Sequence, residues 1–292
     1  MKKVLGRYGN EQGHWVGDGF PVRSLFSYGD HGEYFSPFLL LDYAGPHRFG
    51  PTHSRRGVGQ HPHRGFETVT IVYDGEVEHR DSAGQGGIIG PGDVQWMTAG
   101  GGILHEEFHS GAFSRTGGPF RMVQLWVNLP AEKKMVRPGY QAILNSTIPS
   151  VNLAGGAASV RVIAGNFGDV KGPARTFTPI NVWDVGLKQN ARVSLAVPNG
   201  HTLIIAVLSG HVVVNTTNAA GAAEVLLLER EGDSVSISAD VDTVMLVLTG
   251  EPINEPIVGY GPFVMNSHEE IRQALADLKS GHFGHIAAQV TA

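Results

Sequence analysis

Four side chains in the first 110 residues have types and spacing suited to binding a divalent metal ion. His61 and His63 are one residue apart, and His105 and Glu107 repeat that spacing with an imidazole and a carboxylate. In an extended strand, residues i and i+2 point to the same side. If the two segments are neighbouring strands, three neutral nitrogens and one carboxylate converge, which is a good donor set for a divalent transition metal. Octahedral coordination would leave two positions for water, oxygen or a chelating substrate.

Other interpretations of these residues stay open at this point. A single His-x-His segment is more often surface decoration or a hydrogen-bonded core pair than a ligand pair. The occurrence of both segments, His61-x-His63 and His105-x-Glu107, favours a metal site, because each segment lies beside a Gly-rich turn and a hydrophobic strand. His79 and His109 lie in polar stretches and are predicted to be exposed. Glu67 either faces the same way as His63 or is a buried, hydrogen-bonded carboxylate.

Short strands are predicted to position these side chains. The β-branched and aromatic segment 66–73 ends at Asp74-Gly75, which is a hairpin signal. Further strands are predicted at residues 76–80, 94–97 and 122–129, with Gly-rich turns between them. Strands at such close spacing are typical of an antiparallel barrel or sandwich.

The second half of the chain repeats this pattern of short predicted strands and Gly-containing turns after a Pro-containing connection at residues 130–150. Tyr73–Val77 resembles Leu208–Val212, and Pro91–Val94 resembles the segment 231–235, which predicts a duplicated barrel. A capping-box sequence at Ser267 predicts one helix over residues 268–280. The predicted domains are therefore residues 1–133, which contain the metal ligands, and residues 134–292, which lack them and include the helix.

Composition limits the classes of function. The formal net charge of −5 argues against unaided binding to nucleic acid or to an anionic membrane surface. The chain has no Cys, which excludes disulfides and thiolate ligands, so any metal must be bound by nitrogen and oxygen. No run approaches the roughly 20 apolar residues of a membrane span, and residues 1–20 lack the apolar stretch of a signal peptide. A cytoplasmic protein is the expectation.

Two long segments, His61–Val69 and Gly90–Glu107, resemble the pirin family of the cupin superfamily. Shorter matches to that family lie at residues 124–130, 250–257 and 261–266. The resemblance implies an all-β bicupin fold, with two antiparallel barrels of jelly-roll type and a short C-terminal helix. It also implies one metal ion in the N-terminal barrel.

Carried over residue by residue, the ligands of pirins fall on His61, His63, His105 and Glu107. Most cupins use a Glu at the position of Glu67 as a ligand. Pirins take their carboxylate from two residues after the last His, so Glu67 is expected to orient an imidazole instead. In the second half, the matched turns place Ala196, Pro198, Met245 and Val247 at the ligand positions, and no metal is expected there.

The resemblance further implies an iron(II) dioxygenase that cleaves a flavonol such as quercetin with O2, with Mn, Ni, Co, Cu and Zn as alternative metals. Glu107 would both bind the metal and take the proton of the flavonol hydroxyl. The alternative is a metal-dependent regulatory protein that binds a transcription factor or a metabolic enzyme. A storage or structural bicupin with a vestigial site is a third reading. The sequence leaves the physiological substrate and the metal open.

Overall fold

The computed structural model describes residues 1–287 of the chain. The strands of the first 145 residues are β1 (Val4–Gly9), β2 (His14–Val16), β3 (Phe20–Ser27), β4 (Phe38–Phe49), β5 (Gly57–His63), β6 (Phe66–Asp74), β7 (Val77–Asp81), β8 (Gly86–Ile89), β9 (Val94–Thr98), β10 (Ile103–His109), β11 (Gly118–Asn128) and β12 (Gly139–Ile143). The α-helices are α1 (Tyr28–Phe35), α2 (Gly111–Thr116) and α3 (His268–Lys279), and short 3-10 helices lie at Ala131–Lys133, Asn145–Thr147 and Ala154–Gly156.

The strands of the remaining residues are β13 (Ser150–Leu153), β14 (Ala158–Ala164), β15 (Asn166–Phe167), β16 (Val170–Lys171), β17 (Ile180–Leu187), β18 (Arg192–Ala196), β19 (Thr202–Ser209), β20 (His211–Val214), β21 (Asn218–Gly221), β22 (Glu224–Leu228), β23 (Ser234–Ala239), β24 (Thr243–Gly250), β25 (Val258–Tyr260) and β26 (Phe263–Met265).

The residues group into two compact units, each built from several segments. The first barrel contains Gly13–Arg23, Leu40–Asn145 and the chain from Asn254 onward, and the second barrel contains Met1–Gln12, Ser24–Leu39 and Ser146–Ile253. Helix α3 therefore groups with the first barrel. The predicted boundary between residues 133 and 134 stays a prediction.

Each barrel consists of two antiparallel sheets. In the first barrel the strand orders are β12-β9-β6-β11-β4-β3-β2 and β5-β10-β7-β8. In the second barrel they are β1-β22-β19-β24-β17-β14-β13 and β18-β23-β20-β21. These sheets confirm the predicted all-β fold with two antiparallel barrels and a short C-terminal helix.

The two barrels repeat the same pattern of strand pairing. Strand β6 pairs with β9 and β11, as β19 pairs with β22 and β24. Strand β10 pairs with β5 and β7, as β23 pairs with β18 and β20. The hairpin of β6 and β7 turns at Gly75, with a φ of 86°, and the corresponding hairpin of β19 and β20 turns at Gly210, with a φ of 85°. This pairing lets each inner position of one barrel be matched to its counterpart in the other.

Helix α3 begins and ends close to its predicted bounds. The Ser267 side chain accepts a hydrogen bond from the backbone N–H of Glu270, and Lys279 is the last helical residue. Its buried face carries Ile271 and Ala274, which pack with Phe263 and neighbouring apolar residues. Leu278 is partly buried against the same cluster, whereas Leu275 is 39% exposed.

Candidate metal centre

Strands β5 and β10 are neighbours, which is the condition that the spacing argument required, and they bring three imidazoles together. His105 lies directly opposite His61, and His63 lies opposite Ile103. The ring centroids are 4.1 Å apart for His61 and His105, 4.8 Å for His63 and His105, and 4.9 Å for His61 and His63. One donor nitrogen of each ring lies within 4.8 Å of the other two, which is close enough for all three to bind one ion.

The nitrogens of this cluster fit a cation better than they fit a closed protein core. His63 Nδ1 and His105 Nε2 are buried and have no hydrogen-bond partner within the protein. Leaving such an atom unpaired costs about 1–3 kcal/mol, and a bound ion would remove that penalty. Burial lowers the pKa of both rings well below 6.5, and neutral imidazole is the form that binds metal. His61 Nδ1 lies 2.8 Å from the Gly59 carbonyl, so it donates and leaves Nε2 free.

Glu107 lies near His105 but belongs to a different cluster. Among the described residues, its carboxylate comes within 4.8 Å of donor nitrogens of His79 and His105 together, whereas His61, His63 and His105 form a group without it. The ladder between β10 and β5 shifts register between His105 and Glu107, so Glu107 lies opposite Val58 and not opposite a β5 imidazole. Membership of Glu107 in the ligand set therefore stays a prediction.

The prediction that His79 and His109 are exposed is wrong, since their side chains are 0% and 2% exposed. Strand β7 alternates, with Val77, His79 and Asp81 buried while Glu78 and Arg80 are partly exposed. This period of two could have been read from the sequence despite the polar composition. His109 Nε2 donates to the Gly19 carbonyl at 2.8 Å inside an aromatic cluster, which gives it a structural role.

Polar side chains from the four strands β6, β9, β11 and β12 lie around Glu107. Gln95 Nε2 and Thr70 Oγ1 each lie 3.4 Å from Glu107 Oε1, and Thr70 donates to Gln124 Oε1 at 2.7 Å. Tyr140 donates to Gln95 Oε1 at 3.4 Å and stacks on the His79 ring at 5.2 Å. Burial, with Asp81 and Glu107 nearby, raises the pKa of Tyr140 to about 12, so its hydroxyl keeps its proton.

The expectation that Glu67 orients an imidazole is wrong, and the alternative of a buried, hydrogen-bonded carboxylate is confirmed. The side chain accepts a hydrogen bond from Thr98 Oγ1 at 2.7 Å, and burial raises its pKa from 4.5 to about 7. Adjacent strand residues face opposite sides, so Glu67 faces away from the side of β6 on which Thr70 lies. Its even spacing from His63 is misleading because the chain turns at Gly65, where φ is +90°.

In the second barrel, apolar side chains hold the matched positions. The four positions assigned from turn matching are wrong. Met245 and Val247 are wrong because Gly92 precedes β9 whereas Gly232 precedes β23, the counterpart of β10, and Ala196 and Pro198 each lie one residue beyond the position that strand pairing gives. Strand pairing instead matches the proposed ligands with Leu195, Val197, Val235 and Ile237. Among the described residues, the clusters of potential ligands lie in the first barrel, and the absence of a metal from the second barrel stays a prediction.

An aromatic wall lies beside the imidazoles. Trp126 is partly exposed, its ring is 5.4 Å from that of His63, and it stacks on Phe66 at 4.2 Å. At the hairpin end of the barrel the interior becomes apolar, with Val72, Val77 and Met122 in one core cluster. The polar centre therefore occupies only the end away from the Asp74–Gly75 turn.

None of the helices within residues 1–287 is long and apolar enough to cross a membrane.

Comparison with known proteins finds the same architecture in proteins of several bacteria. The model of the pirin family matches residues 19–127, and the model of the pirin C-terminal cupin domain matches residues 182–284. A Pseudomonas aeruginosa protein with the provisional name quercetin 2,3-dioxygenase is 59% identical, and the match covers 97% of this chain and 99% of that protein.

Two solved structures extend these matches to three dimensions. The crystal structure of a quercetin 2,3-dioxygenase from Acinetobacter baumannii is 57% identical, has a TM-score of 0.96 and is matched over 98% of this chain and 100% of its own. A bacterial pirin from Escherichia coli in complex with nickel(II) has a TM-score of 0.66 at 20% identity, with 85% of this chain and 99% of that chain covered. The second match supports the fold alone.

Proposed function

The chain belongs to the pirin family, and on that premise we propose that it is a metal-dependent dioxygenase that cleaves a flavonol such as quercetin with O2. The observation that carries the proposal is the cluster of His61, His63 and His105, in which two buried nitrogens have no protein partner. Iron(II) is the metal proposed, with Glu107 as the fourth ligand. A cytoplasmic location is part of the same proposal.

The metal would supply Lewis acidity, lowering the pKa of the substrate hydroxyl and stabilising the enolate that forms. The protein's own residues supply the remaining functions. Glu107 is a buried carboxylate next to His105, and we assign it the hydroxyl proton of the flavonol. The Gln95 amide donates to one oxygen of that carboxylate at 3.4 Å, which leaves the other oxygen available to take up a proton.

Trp126 provides a surface suited to a flat aromatic substrate. Its indole is partly exposed, and its position is fixed by stacking on Phe66. A flavonol ring stacked there would lie next to His63, whose ring is 5.4 Å from the indole. Stacking between aromatic rings adds about 0.5–1.5 kcal/mol beyond the burial of area. We therefore assign Trp126 to substrate binding.

Anaerobic reconstitution of the purified chain with iron(II), followed by oxygen uptake with quercetin, tests the proposal. Imidazole and carboxylate also bind Mn, Co, Ni, Cu and Zn, so each of these metals is tested in parallel at equal loading. A His105→Val variant, assayed in the same way, serves as the control without a complete ligand set. Absence of flavonol-dependent oxygen uptake with every metal, in protein shown to be loaded, would reject the dioxygenase. Metal-dependent capture of a protein partner would then favour the regulatory alternative.

A further inference from the structure

A line of hydrogen-bonding groups runs from Asp81 through His79 to His105. Asp81 Oδ2 lies 3.2 Å from His79 Nε2, and His79 Nδ1 lies 3.4 Å from His105 Nδ1. Gln95 Nε2 also lies 3.2 Å from His79 Nδ1. All four side chains are buried, so neither water nor bulk ions set the positions of these protons.

The chemistry of the groups fixes the direction of the bond between His79 and Asp81 and restricts the direction of the contact between His79 and His105. A carboxylate only accepts, so His79 Nε2 carries a hydrogen and donates it to Asp81. With its one hydrogen on Nε2, the His79 ring has a bare Nδ1, and the single lone pair of this nitrogen faces both the Gln95 amide at 3.2 Å and His105 Nδ1 at 3.4 Å. If His105 Nδ1 carries the hydrogen of its neutral ring, its Nε2 has a free lone pair. That nitrogen is the buried atom without a partner.

We propose that Asp81 and His79 are positioning residues that fix the tautomer of His105, so that its Nε2 lone pair faces the metal. The inference rests on the metal centre of the proposed function. The second cluster, of His79, His105 and Glu107, also has ligand spacing. It does not form a separate ion site, because both nitrogens of His79 already have hydrogen-bond partners.

An Asp81→Asn variant should invert the line of hydrogen bonds. Asp81 Oδ1 accepts from the backbone N–H groups of Ala83 and Gln85, both at 2.9 Å. In the variant these two donors hold the amide oxygen at that position, and the amide nitrogen takes the place of Oδ2. It then donates to His79 Nε2, moving the His79 hydrogen to Nδ1 and the His105 hydrogen to Nε2. The nitrogen meant for the metal is thereby blocked, while the turn around Asp81 is kept.

The readout is the histidine tautomers of the full chain, freed of metal and labelled with 15N at histidine, measured by long-range 1H–15N correlation. We expect His105 to carry its hydrogen on Nδ1 in the wild type and on Nε2 in Asp81→Asn. Cobalt(II) affinity, measured by competition with a chelator, should fall about 10- to 100-fold in the variant. Asp240→Asn is the matched control, because Asp240 pairs with His211 at 3.1 Å on the surface of the second barrel and should change neither readout.

Two variants of His79 separate positioning from packing. His79→Asn retains an oxygen near the place of Nδ1 that can accept from His105, so cobalt affinity should be closer to wild type than in His79→Leu. Equal losses in the two variants would overturn the positioning role. A wild-type His105 with its hydrogen on Nε2, or an Asp81→Asn protein with unchanged tautomers, would overturn it as well. Expected tautomers in a wild type that binds no cobalt would instead reject the metal centre and with it the proposed function.

Discussion

The inner faces of the two barrels differ in chemistry although their strands pair in the same order. Five positions that hold titratable side chains in the first barrel hold apolar ones in the second. The matched pairs are His61 with Leu195, His63 with Val197, His79 with Val214, His105 with Val235, and Glu107 with Ile237. The polar side chains around Glu107 also have apolar counterparts, since Thr70, Gln95 and Gln124 correspond to Ile205, Leu226 and Val247.

This difference shows how much stabilisation by apolar burial the first barrel lacks at the candidate site. The apolar counterparts all belong to one continuous core in the second barrel. Full burial of a side chain such as Val, Leu or Ile contributes about 1.5–3 kcal/mol, whereas a buried polar group contributes only if it is paired. The first barrel gives up this contribution at one end and keeps an apolar core around Val72 and Phe120 at the other. The fold therefore does not require the polar centre, which points to a functional reason for it.

The largest expected effect comes from giving His105 its second-barrel counterpart. His105→Val should reduce bound metal from about one equivalent per chain to none and abolish flavonol turnover. In the metal-free proteins the free energy of unfolding should change little, because the substitution removes a buried nitrogen without a partner together with the contact between His105 Nδ1 and His79. Elemental analysis, oxygen uptake and urea unfolding measure these three quantities. In the second barrel, Val235→Ala should leave metal content unchanged, and full metal retention in His105→Val would contradict the ligand assignment.

Glu107 of β10 and Glu67 of β6 are both buried, but they should differ in their importance for catalysis. Glu107→Gln removes the proposed base and ligand, and we expect turnover to fall about 10²- to 10⁴-fold. Glu67→Gln changes a side chain that contacts Thr98 on the other face of the sheet, so we expect less than about a tenfold loss. Steady-state kinetics at equal metal loading compare the two variants. A larger loss for Glu67→Gln would reverse the carboxylate assignment.

Placing one histidine in the second barrel should destabilise it without creating a metal site. In Val235→His the imidazole enters an apolar core with Leu195 opposite it and no polar partner. We expect the free energy of unfolding to fall by about 2–4 kcal/mol. Urea unfolding followed by circular dichroism measures this loss, and elemental analysis should still find about one metal per chain. A second equivalent of metal would show that the surrounding apolar residues do not prevent binding.

The smallest effect concerns the pH dependence of stability at Glu67. Its counterpart in the second barrel, Thr202, is uncharged and donates a hydrogen bond to the Ser36 carbonyl. Burial raises the pKa of Glu67 from 4.5 to about 7, so between these values the folded chain keeps a proton that the unfolded chain has lost. Its contribution to stability is therefore complete below pH 4.5 and is lost as the pH rises to 7. The size of this loss is about 3 kcal/mol.

Glu67→Gln should remove that slope and make the protein more stable than wild type at pH 8. Urea unfolding at intervals between pH 4.5 and 8 gives the comparison. Glu76→Gln is the control. The Glu76 carboxylate lies near the hairpin and accepts a hydrogen bond from Ser110, and this variant should keep the wild-type slope in this window. An unchanged slope in Glu67→Gln would mean that this carboxyl is ionised in the folded protein.

The sequence by itself determined the features that depend on neighbouring residues. Asp74-Gly75 forms the hairpin because glycine adopts the positive φ required there, and Ser267 begins the C-terminal helix by accepting from Glu270. The spacing of His61 and His63 was enough to place both rings on one side of a strand. Each of these results follows from the local geometry of a few residues.

Only the tertiary structure decided the features that depend on how strands pair. It placed His79 beside His105, turned Glu67 away at Gly65, and placed Glu107 opposite Val58 through a register shift. It also showed that Gly92 and Gly232 are not counterparts, since similar Gly-Asp turns precede different strands. The physical reason is that a residue's face and partners in a sheet are set by turns and bulges between strands, and one residue of shift exchanges the inner face for the outer.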